Sequence, residues 1–321
     1  MEKRRSGEVI VVGGGVIGLT TAVVLAERGS RVRVWTREPA ELTTSAVAGA
    51  LWWPYRIEPE ESAGEWALAS LSVYAELAQR PGETGVRMVE GVQEGQRLDG
   101  LGPWAARVPE LRETDQGLWA RLPLIDMPVH LGWLRERFLA AGGVVEERSV
   151  QDLAEAAGAG GADVVVNCTG LGARELVPDP AVRPVRGQLV VVENPGITTW
   201  FTAAGHGAAK TTYFFPQPGG LILGGTADED EWSLVPDPAV AQEIVRRCAA
   251  VRPEIAGARV LGHRIGLRPT RHAVRLDREL LSGGQVLVHN YGHGGAGITV
   301  AWGCALEAAR LAGGGEDQPR A

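Results

Sequence analysis

Residues 8–18 read EVIVVGGGVIG, and this stretch decides the fold. The β-branched run Val9 to Val12 predicts a buried strand. The glycines that follow stand at the spacing GxGxxG and are Gly13, Gly15 and Gly18. At this spacing the first glycine makes a sharp turn, the second lets backbone approach a pyrophosphate, and the third lets a helix pack on the strand. The stretch therefore predicts a strand, a turn and a helix whose first amides, at Val16 and Ile17, face phosphates.

The residues after the turn favour a complete dinucleotide-binding unit over a helix that needs small residues only for packing. Leu19 to Ala26 keep one apolar face, and Arg31 to Trp35 alternate into a second strand. In such a unit an acidic residue after the second strand meets the ribose hydroxyls. Here Thr36 is followed by Arg37 and Glu38. Glu38 is the nearest carboxylate, whereas Arg37 would suit a 2′-phosphate and leaves NADP open.

Composition restricts the class of protein and of partner. The chain has 321 residues, a net charge of -7 at pH 7 and three cysteines, none of them in a CxxC. The length predicts two lobes, the acidic balance speaks against nucleic acid and acidic membranes, and the cysteines indicate neither disulfides nor zinc. The glycine spacing disfavours a secretory signal after the basic start MEKRR. We expect a cytoplasmic protein with small-molecule partners, no membrane contact and no metal.

The rest of the pattern predicts an α/β chain. Small and apolar residues at 42–55, LTTSAVAGALWWPY, predict a buried loop beside a ligand. Helices are expected at 64–79, 131–141, 238–251 and 298–312, and strands at 144–150, 163–167 and 285–289. Further strands at 186–193, 212–215 and 221–223 are expected to form a second sheet, and 154–162 a flexible turn.

A second glycine-rich turn spans Asn290 to Thr299. Two such turns indicate a cofactor held at both ends, which fits FAD better than NAD, and the following helix would stabilise negative charge on a reduced flavin. A hairpin-like turn that needs glycine for positive φ is the alternative. We expect His293 to be a structural histidine bonded to backbone, rather than a base or a metal ligand with His289, because no carboxylate partner is evident.

Several motifs, in this order and spacing, resemble the D-amino-acid oxidase family of flavoproteins. They are VGGGVIGL, LTTSAVAGALWWPY, VVVNCTG, RGQLVVVE, GLRPTR and HNYGHGGAGITVAWGCALEAA. The resemblance runs from about Val9 to Leu311. It implies oxidative deamination: the α-hydrogen of a D-amino acid leaves as hydride to flavin N5, without an essential general base. Oxygen then takes the electrons to give hydrogen peroxide, and the imino acid hydrolyses to a 2-oxo acid and ammonia.

The resemblance also implies roles for single residues. Arg268 matches the arginine that holds the substrate carboxylate, Tyr213 a tyrosine that assists it, and Gly295 a glycine whose carbonyl faces the amine. A guanidinium grips a carboxylate at two points, so Arg268 would orient the substrate. Without the resemblance, Arg268 would be a surface ion-pair residue and Tyr213 a core residue. The expected pocket residues are Trp53, Tyr55 and Phe215.

The resemblance further implies a discontinuous, Rossmann-like FAD-binding domain. It comprises 1–53, 130–182 and 264–313, and interleaves with a substrate-binding domain on a mixed sheet, 54–129 and 183–263, before a flexible tail at 314–321. The expected FAD contacts are Gly13, Gly15, Val16, Ile17, Gly18, Arg37, Glu38, Thr43, Thr44, Ser45, Gly49, Ala50, Leu51, Val150, Thr169, Gly294, Gly295, Gly297, Ile298 and Thr299. The expected partners are a D-amino acid, oxygen and, as a homodimer, a second copy of the chain.

Three departures from the family pattern concern the substrate side chain. Ala209 replaces a lid tyrosine, Trp53 replaces a glutamine, and Ala227 replaces the arginine of D-aspartate-oxidising members. These departures predict neutral, apolar substrates. Three alternatives stay open from the sequence: an oxidase of glycine or N-methyl amino acids, a flavin- or nucleotide-binding regulator without turnover, and an NADP-dependent dehydrogenase.

Overall fold

The computed structural model describes residues 7–158, 161–203 and 210–313. Its strands are β1 Glu8–Val12, β2 Arg31–Thr36, β3 Val86–Glu94, β4 Arg112–Thr114, β5 Gly117–Ile125, β6 Val144–Glu147, β7 Val164–Asn167, β8 Arg183–Val192, β9 Trp200–Ala203, β10 Lys210–Gln217, β11 Gly220–Thr226, β12 Asp228–Glu229, β13 Val260–Leu280 and β14 Val286–His293. Its helices are α1 Val16–Glu27, α2 Glu60–Leu77, α3 Pro81–Thr84, α4 Met127–Ala140, α5 Leu153–Gly158, α6 Ala173–Leu176, α7 Pro238–Val251 and α8 Gly297–Ala312. The predicted lid position Ala209 and the tail at 314–321 lie outside the described residues.

The predicted strand, glycine turn and helix are confirmed. β1 runs parallel between β2 and β7, with Val11 opposite both Val34 and Val166. All three side chains are fully buried, as expected for parallel strands covered on both faces. Gly13 has a φ of 118°, and a Cβ on Gly18 would collide with the carbonyl of Gly13. The turn and the close start of α1 therefore require glycine at these positions.

The expectation of a separate second sheet is wrong, because one long strand joins the two halves. The strand order is β4-β5-β3-β9-β10-β11-β8-β13-β14-β7-β1-β2-β6, with β12 added beside β8. β13 pairs with β8 from Val260 to Thr270 and with β14 from Thr270 to Leu280. Since each end of β13 finds a different partner, hydrogen bonding continues from one half to the other. The α/β class and the mixed sheet are confirmed, and the domain boundaries stay a prediction.

Two other predicted segments differ from the structure. The segment expected to be a flexible turn contains α5, because Leu153, Ala156 and Ala157 are buried in a cluster with Ile10 and Trp35. Packing on the sheet thus stabilises an alanine-rich helix that its glycines disfavour. The second glycine-rich turn is shorter than predicted, since β14 continues to His293 and leaves a 3₁₀ turn at Gly294–Ala296 before α8.

The start of α8 is fixed by α2. The hydroxyl of the fully buried Tyr74 donates to the carbonyl of Ile298 at 2.8 Å. The Ser70 hydroxyl accepts a hydrogen bond from the amide of Gly303 at 3.0 Å. A Cβ on Gly303 would collide with the backbone of Trp66, so glycine lets the two helices touch. These contacts hold the second glycine turn in place.

Acidification is expected to destabilise the fold through His130 on α4. Its Nδ1 bonds to the carbonyl of Thr84 at 2.8 Å, and burial lowers its pKa to about 4. Unfolding restores a pKa of about 6.5, so the unfolded chain binds the extra proton. Stability from this residue is complete above about pH 6.5 and is lost toward pH 4, by about 3 kcal/mol.

Urea unfolding at several pH values measures this loss. His130→Gln should give a shallower fall in the free energy of unfolding between pH 6.5 and 4. His272→Gln, at an exposed position, is the control and should keep the slope of the parent protein. Equal slopes for the parent and His130→Gln would contradict the assignment.

Candidate active site

Arg268 reaches across the sheet from β13 to β11. Its guanidinium lies over Gly187 of β8, where a Cβ would collide with it. Its Nη1 donates to the carbonyl of Thr226 at 2.9 Å. The space left by Gly187 thus lets a long cationic side chain lie flat on the sheet.

Tyr213 of β10 reaches the same site because glycines on the neighbouring strand leave room for its ring. A Cβ on Gly224 of β11 would collide with its ring, and a Cβ on Gly225 would stand 2.8 Å from its hydroxyl. Burial raises the pKa of Tyr213, and the charge of the neighbouring Arg268 partly offsets that rise. Tyr213 therefore keeps its proton at neutral pH and offers a donor beside the guanidinium.

The remaining sides of this site come from four predicted residues, two aromatic residues and two glycines. The ring of Phe215 stacks on Tyr213 with centroids 4.8 Å apart, and a Cβ on Gly49 would lie 2.9 Å from the Phe215 ring. A Cβ on Gly295 would stand 3.4 Å from Arg268 Cδ and 3.8 Å from Tyr55 Cδ1. The structure thus brings Tyr213, Arg268 and Gly295 together, with Tyr55 and Phe215 beside them.

Trp53 lies in different surroundings. Its ring packs edge to face on Trp104 at 5.6 Å between centroids. Its amide donates to the Thr299 hydroxyl at 3.2 Å, and the same hydroxyl donates to its carbonyl at 3.0 Å. Trp53 therefore ties its loop to the first turn of α8, and its role in the substrate pocket stays a prediction.

The N-terminus of α1 has the features of an anion site. The Val16 amide donates to the Ser45 hydroxyl at 3.0 Å, and a Cβ on Gly15 would lie 3.0 Å from that hydroxyl and 3.9 Å from Thr43 Cβ. No acidic residue lies in the first turn, and Gly15 offers no side-chain cap. The first turn of a helix leaves its amides without intrahelical partners, here including those of Ile17 and Gly18.

The loop at 42–55 connects this helix start with the Arg268 strand. The Thr44 hydroxyl donates to the carbonyl of Leu267 at 3.3 Å. Ala50, at a φ of 61°, accepts a hydrogen bond from the amide of Ile125 at 3.0 Å, and Leu51 forms a bridge with Leu124. The loop is therefore held against the rest of the fold, but it is buried only in part, since Leu42 is 70% exposed.

The outer predicted contacts share one edge of the sheet. Arg37 and Glu38 follow β2, Val150 follows β6, and Thr169 follows β7. These strands are parallel with β1, so all four residues stand at the carboxyl ends where open α/β sheets bind ligands. The Arg37 side chain is 75% exposed and pairs with Glu38 at 3.6 Å. Because this side chain is exposed, it forms no buried pocket for a 2′-phosphate with the other described residues.

His289 and His293, both on β14, differ from the expectation. His289 Nε2 bonds to Glu279 at 3.1 Å, and its Nδ1 accepts from Asn167 at 3.3 Å. His289 therefore has a carboxylate partner, which comes from β13 and which no local sequence pattern indicated. His293 is buried with Nε2 unpartnered in the described structure, and burial lowers its pKa to about 3. The described residues contain no group of three or more acidic, histidine or cysteine side chains placed to hold a metal.

Sequence reasoning missed Gly187, Gly224 and Thr226 as site residues. Both glycines lie in short motifs, RGQ and GGT, in which the structural reason for glycine comes from a side chain on another strand. Glycine inside a strand is a general signal of close approach by a ligand or by another part of the chain. Gly187 and Gly224, each a glycine within a predicted strand or next to one, carried this signal in the sequence.

Gly187→Ala is expected to displace Arg268 and weaken substrate binding. The new methyl group would occupy the space of the guanidinium, which can move because it ends a flexible side chain. We expect the KM to rise about tenfold or more, with the cofactor retained, since the two-point grip loses its alignment. Gly262→Ala, where a Cβ meets nothing within 4 Å, is the matched control. An unchanged KM in steady-state assays of Gly187→Ala would show that Arg268 does not need this space.

Comparison with known proteins agrees with this geometry. The family model DAO, FAD dependent oxidoreductase, matches residues 8–311. A D-amino-acid oxidase of Streptomyces coelicolor is 71% identical over 97% of this chain and 98% of its own length. One of Rubrobacter xylanophilus is 49% identical over 98% of both chains. The solved glycine oxidase of Bacillus cereus shares the fold, with a TM-score of 0.77 and 19% identity over 97% of this chain and 98% of its own. The chain belongs to the DAO family of FAD-dependent oxidoreductases.

Proposed function

We propose that the protein oxidises D-amino acids to imino acids, which hydrolyse to 2-oxo acids and ammonia, with oxygen as the electron acceptor. The observation that carries the proposal is the Arg268 guanidinium, which lies over Gly187, next to Gly295 and close enough to Tyr213 for its charge to act on the phenol. This is a carboxylate site with an adjacent backbone turn for the amine. The two bacterial relatives that share 71% and 49% identity are named D-amino-acid oxidases, which favours this reaction over glycine oxidation.

The chain's residues fit FAD, the cofactor of the family. α1 begins without an acidic residue or a side-chain cap, and the Ser45 hydroxyl lies against its first amide. These groups would hold the pyrophosphate, while Arg37, Glu38, Val150 and Thr169 stand at the same sheet edge. FAD, when bound, accepts the hydride and passes the electrons to oxygen. The FAD assignment removes the NADP alternative raised by Arg37.

The protein's own part in the reaction is to bind and orient the substrate. Arg268 would hold the carboxylate at two points, and the protonated Tyr213 would donate to the same group. The carbonyl of Gly295 would accept a hydrogen bond from the amine. Since a guanidinium has only donors and burial keeps the proton on Tyr213, neither group serves as a general base, and their contribution is orientation.

We further propose that the pocket prefers neutral, apolar side chains. Ala227 directly follows Thr226, whose carbonyl accepts from Arg268. The next acidic residue, Asp228, pairs with Arg186 at 3.3 Å. An acidic substrate side chain would meet no cation at Ala227. Burying an unpaired carboxylate costs several kcal/mol, whereas each buried methylene contributes about 0.8 kcal/mol.

A panel of D-amino acids, assayed for peroxide, tests both the reaction and the preference. D-valine, D-leucine and D-methionine should have kcat/KM values at least about 100-fold above D-aspartate and D-glutamate. Ala227→Arg should raise kcat/KM for D-aspartate, and Ala227→Leu is the uncharged control. D-aspartate as the best substrate of the parent protein would contradict the pocket argument and leave the reaction standing.

The cellular location and the assembly are proposals from the sequence alone. None of the helices in the described part of the chain has the length and apolar character that crossing a membrane requires. A cytoplasmic homodimer stays our working hypothesis.

A further inference from the structure

We propose that Arg247, on the side of α7 that packs against β10 and β11, is a positioning residue that holds Tyr213 in the carboxylate site. The inference rests on the role proposed above for Tyr213. β10 and β11 pair at Lys210 with Thr226 and again from Tyr213 with Gly224, with a shift of register between. A bulge of this kind leaves backbone groups without their ladder partners, just before the residue it redirects.

The Arg247 guanidinium supplies those partners. Its Nη2 donates to the carbonyl of Thr211 at 3.3 Å and to that of Gly225 at 3.1 Å. One carbonyl belongs to the bulged strand and the other to its neighbour, so a single cationic group joins the two strands at the bulge. The side chain is 16% exposed, and a charged donor strengthens both hydrogen bonds.

The next residue on α7 makes the same connection. The thiol of Cys248 donates to the carbonyl of Tyr213 at 3.4 Å and, at 3.9 Å, to that of Gly224. Tyr213 lies with its hydroxyl against Gly225, so α7 fixes both the backbone that carries the tyrosine and the backbone beneath its ring. Glu243 lies 3.7 Å from Arg247 Nη1 and holds the guanidinium on this side of the helix.

The consequence concerns substrate binding and not the chemical step. If the bulge relaxes, the phenol of Tyr213 loses its alignment with Arg268, and the carboxylate loses one of its donors. Relaxation of the bulge should leave Gly295 and the cofactor-binding helix α1 in place. In the described part of the chain, no hydrogen bond joins α7 to Gly295 or to α1. We therefore expect KM to change and kcat to stay.

Arg247→Met in the FAD-loaded protein tests this. Benzoate, a carboxylate without an amine, is titrated while the flavin absorbance is followed, and KM and kcat are measured with D-methionine. We expect benzoate to bind about tenfold more weakly and KM to rise by a similar factor, with kcat and FAD affinity within about twofold of the parent. Arg247→Lys, which keeps a cationic donor, should recover part of the loss.

Arg246→Met is the matched control, since Arg246 has the same charge on the same helix and is 74% exposed. It should leave benzoate affinity unchanged. Should Arg247→Met fail to fold, Cys248→Ala should weaken benzoate about threefold. Benzoate affinity unchanged in either variant would overturn the inference, as would an equal loss in Arg246→Met. The titration needs no turnover, so a parent protein that fails to oxidise D-amino acids would refute the proposed function alone.

Discussion

Arg268→Ala is expected to leave FAD bound and to raise the KM for D-amino acids by two to three orders of magnitude. The guanidinium is held by the carbonyl of Thr226, and removing a charge-assisted contact from a desolvated site costs about 2 to 5 kcal/mol. The variant should also lose its affinity for simple carboxylates, because Tyr213 alone cannot neutralise the charge. Steady-state kinetics and a benzoate titration of the same preparation measure both effects.

Arg278→Ala is the control for this substitution. Arg278 is an exposed arginine on the same strand, paired in register with Val288 at the end remote from β8. It should show parental KM values. Near-parental kinetics for Arg268→Ala would remove Arg268 from the site, and loss of FAD in that variant would show that its role is structural.

Gly15→Val is expected to abolish FAD retention. The Cβ position at Gly15 lies 3.0 Å from the Ser45 hydroxyl, beside amides at the start of α1. A valine side chain would fill the space through which the backbone approaches the pyrophosphate. We expect a folded, colourless protein whose FAD dissociation constant rises at least about 100-fold.

Gly132→Val serves as control, because Gly132 is an exposed helical glycine where a Cβ meets nothing within 4 Å. It should purify yellow. A Gly15→Val protein that purifies with stoichiometric FAD would contradict the placement of the cofactor on the first glycine turn.

Local rules explain which parts of the fold could be predicted. α7 begins and ends at the predicted residues, Pro238 and Val251. Asp237 caps it, with its side chain accepting from the amides of Ala239 and Val240, and Pro238 suits the first helical position. The first glycine turn likewise follows from residues adjacent in sequence. Signals of this kind need no knowledge of the rest of the chain.

Long-range pairing explains what could not be predicted. Nothing near Gly187 in the sequence indicates that Arg268 will lie over it, and nothing near His289 indicates Glu279. Both depend on β13, which takes β8 as partner at one end and β14 at the other. That choice of partners also merged the two expected sheets into one.

Trp53 shows the same limit for a site residue. The resemblance to the family suggested a place in the substrate pocket, and the structure shows that its ring packs on Trp104. Trp104 follows in a segment fifty residues on, whose arrangement against α2 the local sequence does not encode. The apolar preference proposed for the pocket therefore depends mainly on Ala227.

Anaerobic mixing of the purified yellow protein with single enantiomers tests the central claim most directly. With D-methionine the flavin absorbance should be lost, and admission of air should restore it with one equivalent of peroxide. L-methionine should leave the spectrum unchanged. A spectrum that stays oxidised with every neutral D-amino acid, or that is lost equally with the L-enantiomers, would contradict the assignment of this site to D-amino-acid oxidation.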